Sequence, residues 1–506
     1  MNKLLITRRI AMICAFGIAL LTMLKPVAGF AKTPVDAYPN YRIAVIMATS
    51  PDDPAKPIAD DKSGPWTEQY LDKRLFTDTD SMASYYASES EGAVSVTGDV
   101  YDNGGAWYTI DKPTAAGDYC DWWTFMSDAM EAADADIDFT EYNTVMVFTP
   151  LYECGSGGFA TTIANVPDTG GQTYRAAVMN GTLNTYPHHE LGHIIGFGHA
   201  NSWQCDPPGV LVGTNCGMVE YGDRYGIMGA SSRMSLLPAP LKERMGWLRS
   251  SEIMPVMSDG DYALYTYEDD VSPKVLKIPQ ARDGAGNVTS WYYLEYRQPI
   301  GYDNVSGFSP TVQELGIPNG AFVRLGPVGN DMTTTLLDMT PGSRSGGLDI
   351  FEPTLQVGSS YLDPVAGVSF GIVSRNAASM TVRVKFGGAS LCVWKAPTVT
   401  VKALRSSGKP GAELSYAMTV KNNATLCGKQ TMELRTTAKP VGWKVTVSKA
   451  TKKTFDLVPG ASMKYIVRMA SPKNAVSKKY TAKLEARFAA KPALKKSYTL
   501  RPTVVR

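Results

Sequence analysis

The chain has 506 residues, and its 50 Lys+Arg residues nearly balance its 48 Asp+Glu residues, giving a formal net charge of +2. This balance conceals an asymmetry, because residues 389–506 contain 24 Lys+Arg and 4 Asp+Glu, whereas the preceding residues contain 26 and 44. Beyond the N-terminal region, no segment is long and apolar enough to span a bilayer, which excludes an internal transmembrane helix.

The N-terminus has the three parts of a secretory signal peptide. Basic residues precede an apolar run, Ile10–Leu24, and small residues follow up to Ala31. The run is shorter than the ~20 residues of a membrane-spanning helix. We therefore predict a signal peptide over residues 1–31 and a secreted, extracellular protein, with a periplasmic or cell-surface-associated location as the alternative.

Strand and helix patterns alternate after the signal peptide. Because such alternation favours helices packed on a sheet, we predict an α/β (α+β) domain with a twisted mixed sheet. The predicted strands are Arg42–Met47, Ala93–Val100, Thr144–Phe148 and Tyr174–Asn180, and the predicted helices are Asp80–Ser90 and Asp121–Ala133.

Three aspartates, Asp134, Asp136 and Asp138, follow the second predicted helix. A calcium-binding loop of the helix-loop-helix type would need glycine where Phe139 stands and a bidentate glutamate where Val145 stands. Calcium is therefore not predicted.

All four histidines of the chain fall within residues 188–199, which read HHELGHIIGFGH. On a helix, His189 and His193 lie one turn apart on the same face, so both imidazoles can bind one ion. Gly196 can end the helix, because glycine accepts a positive φ, and the chain can then return His199 as a third ligand. His188 points away from this set, and we expect it to be an ordinary surface residue or a residue that contacts one of the ligand side chains.

Three histidine ligands with a fourth position left to water are typical of a catalytic zinc ion. Glu190 is offset from the ligands by one position and can accept a proton from the water, as a general base does. The spacing H-E-x-x-H-x-x-G-x-x-H thus predicts one catalytic Zn2+.

This motif resembles that of the metzincin zinc metallopeptidases, in which a tight turn places a methionine beneath the metal. The segment Glu220–Gly229 resembles such a turn in the gametolysin-like branch, with Met228 as the methionine. Ala230 stands where some metzincins have a further tyrosine ligand, so a fifth ligand is not expected. The resemblance also implies that Tyr174–Asn180 is an edge strand, with Ala176, Val178 and Asn180 available to an extended peptide.

The function that these features predict is that of a secreted zinc-dependent endopeptidase of the metzincin type, acting on extracellular proteins. Two alternatives stay open. One is a catalytically inactive, zinc-containing protein that binds a surface, and the other is a zinc hydrolase that acts on a non-peptide bond.

The chain has seven cysteines, of which Cys14 lies in the predicted signal peptide. An even number of remaining cysteines in an exported protein suggests disulfides, although six cysteines allow fifteen pairings. Proximity in sequence favours the pairs Cys120–Cys154, Cys205–Cys216 and Cys392–Cys427.

The predicted peptidase domain spans residues 32–250 and ends with a short helix, Leu241–Trp247. Repeated short β-prone runs, such as Tyr262–Tyr267 and Met380–Lys385, predict an all-β accessory domain over residues 251–388. The basic segment, residues 389–506, resembles the Ig-like β-sandwich modules of secreted bacterial hydrolases. Its charge favours binding to an anionic surface or polysaccharide, and the alternative is a spacer kept soluble by lysines.

Overall fold

A computed structural model describes residues 40–51, 66–113, 115–116, 119–150, 157–163, 171–181, 185–206, 209–211, 215–229, 234–303, 319–327, 332–342, 352–447 and 454–506. The predicted signal peptide, residues 1–31, lies outside these described residues. The boundaries predicted at residues 250 and 388 stay predictions.

The described structure is 46% strand and 14% helix, and it consists mostly of sandwich-like sheets. The predicted fold class, an α/β (α+β) metzincin-type domain followed by all-β units, is therefore wrong. The physical reason is that the α-helices are short, from 5 to 12 residues, whereas strands continue through the whole described chain and bury most of its apolar side chains.

The first part of the chain forms a six-stranded sheet with helices beside it. Its elements are β1 (Asn40–Thr49), α1 (Glu68–Asp72), α2 (Met82–Glu89), β2 (Ser95–Tyr101), β3 (Tyr108–Thr109), β4 (Ala115–Ala116), β5 (Tyr119–Cys120), α3 (Trp122–Ala133), β6 (Thr144–Thr149), β7 (Gly157–Ile163), β8 (Tyr174–Asn180) and α4 (Tyr186–Ile195). The strand order is β2-β1-β6-β8-β7, with β3 beside β1. All the strand pairs of this sheet are parallel except β7, which runs antiparallel to β8. β4 and β5 form a separate antiparallel pair.

Side chains of the central strands enter two hydrophobic cores, one on each face of the sheet. On β1, Val45 and Met47 contact the core that contains side chains of α2 and α4. Ala44 and Ile46 contact the core that contains side chains of α3. Successive residues of β1 thus point to opposite faces of the sheet, and both faces are apolar and buried. One of these faces packs against α4.

The strand Tyr174–Asn180 forms as predicted, but it is not an edge. As β8, it pairs with β6 on one side and with β7 on the other. The prediction that Ala176, Val178 and Asn180 offer a free edge is therefore wrong, and all three residues are buried. Among the described residues, β2 and β7 are the two outer strands in the order of this sheet, and β7 is the one next to β8.

The middle of the chain forms two further sheets around another core. Its elements are β9 (Ala200–Asp206), β10 (Asn215–Val219), α5 (Ala239–Arg244), β11 (Ile253–Pro255), β12 (Gly260–Tyr265), β13 (Val275–Arg282), β14 (Val288–Glu295), β15 (Gly320–Pro327), β16 (Thr334–Leu337), β17 (Leu355–Gln356), β18 (Ser360–Asp363), β19 (Val368–Arg375) and β20 (Ser379–Phe386). One sheet has the order β10-β9-β16-β15-β14-β13-β11, and the other β12-β20-β19-β18. Because β9 pairs with β16, strands from both sides of the predicted boundary at residue 250 share one sheet.

The last part of the chain forms a sandwich of two four-stranded sheets. Its elements are β21 (Thr398–Arg405), β22 (Ser407–Gly408), β23 (Glu413–Lys421), β24 (Gln430–Ala438), β25 (Lys444–Val447), β26 (Thr454–Leu457), β27 (Ser462–Ala470), β28 (Ala482–Phe488), β29 (Lys495–Leu500) and β30 (Thr503–Val504). The sheets have the orders β21-β23-β27-β25 and β26-β24-β28-β29. Side chains from both sheets meet in one core that includes the buried Trp443.

No helix in the described part of the chain has the length and apolar character needed to cross a membrane.

Candidate metal centre

The helix α4 carries the first two histidines of the motif. It begins with Pro187 in its first turn, where a missing N–H is tolerated, and it ends at Gly196. Gly196 has a φ of +118°, a conformation that favours glycine, and its N–H donates to the carbonyls of Gly192 and His193. The chain therefore turns back toward the helix and carries His199 to the start of β9.

The structure brings the three predicted ligands together. Ligand nitrogens of His189, His193 and His199 all lie within 4.8 Å of one another, and this group could hold a metal ion. The Nε2 atoms of His193 and His199 are 3.1 Å apart. Within the described residues, no other such group of three histidine, cysteine or acidic side chains was found.

The Nδ1 atom of each imidazole lies within hydrogen-bond distance of an oxygen atom. The Nδ1 of His189 lies 2.9 Å from the carbonyl oxygen of Ile227, and the Nδ1 of His193 lies 2.8 Å from that of Phe197. The Nδ1 of His199 lies 2.7 Å from Oε1 of Glu220. Because carbonyl and carboxylate oxygens accept, each Nδ1 carries the proton and each Nε2 of a neutral ring keeps its lone pair. The Nε2 atoms of His193 and His199, 3.1 Å apart, are thus available to one shared cation, so the donor set fits a metal ion.

Glu190 lies beside the ligands and is almost fully buried, with 3% of its surface exposed. It contacts Gly158 of β7 so closely that an added Cβ at Gly158 would lie 2.4 Å from Oε1 of Glu190. Burial raises the pKa of Glu190 to about 8. A divalent cation nearby would act in the opposite direction, because an opposite charge favours the ionised carboxylate.

The turn between Glu220 and Gly229 lies beneath the ligands. Met228 is fully buried, and an added Cβ at Gly192 of α4 would lie 2.3 Å from its Sδ atom. The carbonyl of Met228 accepts a hydrogen bond from the N–H of Ala200, the residue after His199. The turn thus contacts the helix that carries His189 and His193 and the first residue of β9, which follows His199. The supporting role of Met228 remains a prediction.

A buried arginine that the sequence analysis missed holds this turn. Arg324 of β15 donates from Nε to Oδ2 of Asp223 at 2.8 Å and from Nη2 to Oδ1 at 3.3 Å. Its Nη1 donates to Oε2 of Glu295 at 2.6 Å. The same carboxylate oxygen accepts from Nε of Arg297 at 2.7 Å. All four side chains are buried, and Arg297 also forms an ion pair with Asp303 at 3.4 Å, so both buried arginines have acidic partners.

Tyr221 is a second residue that the sequence analysis missed. Its ring centroid lies 3.8 Å from that of His199 and 6.0 Å from that of His189. Its φ of +58° is unusual for a bulky residue, and its N–H donates to Oδ1 of the buried Asn201. Burial, then Glu220 and Glu190, raise the pKa of the Tyr221 phenol to about 12. The phenol therefore stays protonated beside the site near neutral pH.

His188 is buried, with 3% of its surface exposed, so the expectation of a surface residue is wrong. Its ring packs edge-on against Tyr85 at 5.4 Å, and neither ring nitrogen has a hydrogen-bond partner among the described residues. Burial lowers the pKa of His188 to about 3. This histidine is a neutral core residue, separate from the ligand set.

The disulfides Cys205–Cys216 and Cys392–Cys427 are confirmed. Cys205 and Cys216 are paired residues of β9 and β10, so the bond closes the hairpin between His199 and the turn. Cys120 is also disulfide-bonded, and its predicted partner Cys154 lies outside the described residues.

No family model matches the chain, and no curated protein matches it. Among solved structures, the chain has 12% identity to the ASH/PapD-like domain of human CEP192, covering 22% of this chain and 87% of that one, with a TM-score of 0.16. It has 12% identity to the Yersinia pseudotuberculosis adhesin InvE, over 36% and 54% of the two chains, with a TM-score of 0.17. For the secreted serine protease VesC from Vibrio cholerae, the identity is 11%, the coverage 33% and 39%, and the TM-score 0.16. Similarities this weak assign the chain to no family.

Proposed function

We propose that the protein is a secreted zinc-dependent endopeptidase. The observation that carries the proposal is the convergence of His189, His193 and His199 beside the buried carboxylate of Glu190. Three histidines are a common ligand set for catalytic zinc, with a fourth position open. The separation of 3.1 Å between two ligand nitrogens is close to the roughly 3.4 Å that bonds of ~2.0–2.1 Å to a tetrahedral ion imply.

Each of these residues has a distinct role in the proposed reaction. The three histidines hold the ion, which when bound supplies Lewis acidity toward a carbonyl oxygen and toward water. Glu190 accepts a proton from the attacking water and then donates it to the leaving amine. Burial of Glu190 keeps bulk water from competing for that proton.

The free edge of β7 supports a peptide as the substrate. β7 contacts α4 through Gly158 and Glu190, so an extended chain that pairs with this edge would pass beside the ligands. Main-chain hydrogen bonds to an edge strand bind extended peptides with little dependence on sequence. The disulfides and the predicted signal peptide support an extracellular location. The resemblance of the zinc motif to that of metzincins supports the same activity.

The test compares wild type with Glu190→Gln on a denatured protein substrate, with and without a chelator. We expect wild type to cleave internal peptide bonds in a chelator-sensitive manner, and Glu190→Gln to retain its metal and lose cleavage by at least a hundredfold. Glu68→Gln, which changes an exposed helical glutamate, serves as the control and should cleave like wild type.

Two results would contradict the proposal. Metal-loaded wild type that cleaves no peptide would favour an inactive binding protein or a hydrolase of another bond. Glu190→Gln that cleaves as fast as wild type would remove Glu190 from its assigned role.

A further inference from the structure

The two outward faces of the C-terminal sandwich differ in charge. In β23, the buried Leu414, Tyr416, Met418 and Val420 alternate with residues that point outward. The register of the sheet β21-β23-β27-β25 extends this alternation to the neighbouring strands. We call the outward side of this sheet the cationic face, and its charged residues are Lys402, Arg405, Glu413, Lys421, Lys444, Lys464 and Arg468, all exposed.

Most cations of the cationic face are not neutralised by an acidic neighbour. Arg468 forms an ion pair with Glu413 at 2.6 Å. Within the described residues, none of the other five cations forms an ion pair with an acidic side chain. The opposite sheet differs, because Glu433 pairs with Arg487 at 2.7 Å and Glu485 pairs with Lys495 at 3.2 Å. Of the two sheets, the one that bears the cationic face therefore has more cations without an acidic partner.

Small side chains separate the cations of this face. Lys402 is opposite Ala417, Lys464 is opposite Thr419, and Lys421 is opposite Thr398. Neighbouring strands lie ~4.8 Å apart, and residues two apart along a strand are ~7 Å apart. The cations are thus spread at intervals over a shallow surface, with hydroxyl groups between them that can also donate to anionic oxygens.

We propose that the cationic face binds a flexible phosphodiester polymer. Lysine ammonium and hydroxyl groups are ordinary donors to phosphate oxygens, and spaced single charges suit a polymer with repeated phosphates. A membrane surface fits less well, because only Leu404 among the exposed large apolar residues lies on these four strands. Binding to a bilayer depends on buried apolar area as well as charge. This inference is independent of the metal centre.

The test measures binding of the full chain to immobilised poly(glycerol phosphate). One variant carries Lys402→Gln, Lys421→Gln and Lys464→Gln on the cationic face. The matched control carries Arg435→Gln, Lys483→Gln and Lys496→Gln on the other sheet, so both variants lose the same net charge. We expect wild-type affinity to fall about a hundredfold between 50 and 200 mM salt, as about five phosphate contacts imply.

We expect the cationic-face variant to bind at least tenfold more weakly than wild type, and the control to stay within about threefold. Equal losses in both variants would overturn the assignment to this face, because net charge alone would then explain binding. The proposal would be overturned if the wild type did not bind the polymer. It would also be overturned if the wild type bound vesicles of anionic and neutral phospholipids more tightly than the polymer.

Discussion

Arg324 and Asp223 are 101 residues apart in sequence, and they form a buried bidentate ion pair beneath the candidate metal centre. Asp223 also accepts from the N–H of Tyr225, and its own N–H donates to the carbonyl of Ala200, beside His199. The turn that contains Asp223 also contains Ile227, whose carbonyl oxygen lies 2.9 Å from Nδ1 of His189. Strand β15, far in sequence from residues 188–199, therefore holds the turn that contacts His189.

Replacing Arg324 with methionine is expected to destabilise the protein strongly. The change leaves the carboxylate of Asp223 buried without its charged partner and leaves Glu295 with Arg297 as its one remaining arginine partner. Loss of a buried ion-pair partner costs about 3–5 kcal/mol in the free energy of unfolding. The measurement is urea unfolding of the two proteins. Arg383→Met is the control, because it breaks an exposed bidentate pair with Asp261 and should cost about 1 kcal/mol or less. A loss no larger than that of the control would contradict a supporting role for Arg324.

Replacing Gly158 with alanine is expected to slow cleavage strongly while metal binding remains. The added methyl group would lie 2.4 Å from Oε1 of Glu190, so the carboxylate or β7 must move. Such a displacement of a proton acceptor lowers kcat by about a hundredfold. The measurement is kcat together with metal content. Gly217→Ala is the control, because no heavy atom lies within 4 Å of its added Cβ. Equal kcat values for Gly158→Ala and Gly217→Ala would disprove the contact's importance.

Removing the carboxylate of Glu220 is expected to weaken metal binding. In Glu220→Ala the Nδ1 of His199 loses its acceptor at 2.7 Å, so the ring is no longer held in one orientation. Loss of such a partner lowers metal affinity by about 10–100-fold. Competition with a chromophoric chelator measures the affinity, and Glu68→Ala provides the control. An affinity unchanged from wild type would show that His199 needs no support from Glu220.

Acid is expected to destabilise the protein through Glu252. Burial raises the pKa of this carboxyl, but hydrogen bonds from Arg249 and Lys274 outweigh burial and lower the pKa to about 2. Because the pKa is lower in the folded state, the stabilisation is complete above the ordinary value of 4.5 and is lost as pH falls toward 2. Thermal unfolding of wild type and Glu252→Gln should differ most at neutral pH and converge near pH 2. A difference independent of pH would contradict this account.

Local patterns in the sequence predicted that His189, His193 and His199 lie together, because helix periodicity and the conformational freedom of Gly196 act within a few residues. They also predicted the strands around Val45, Met146 and Val178. The order of the strands was harder to predict from sequence. Gly157–Ile163 begins with two glycines, which are typical of a loop, and its large apolar residues are only Phe159 and Ile163. Its pairing with β8 depends on tertiary contacts, so the edge strand was assigned wrongly.

Long-range contacts explain the other differences. The contact between Arg324 and Asp223 could not be predicted from their spacing in the sequence, because it depends on how β15 packs against the turn. The position of Tyr221 on His199 depends on a positive φ that its residue type does not predict. The fold class was wrong because it was drawn from the alternation of helix and strand patterns near the start of the chain, whereas the described residues form mostly strands.

The central claim is that His189, His193 and His199 hold one zinc ion. Its most direct test is the zinc content of the intact protein, measured by mass spectrometry of the metal after gel filtration in metal-free buffer. The account predicts one zinc per chain for wild type and for Glu190→Gln, and far less than one for His199→Ala. Wild type with much less than one zinc per chain, or His199→Ala that retains a full equivalent, would contradict it.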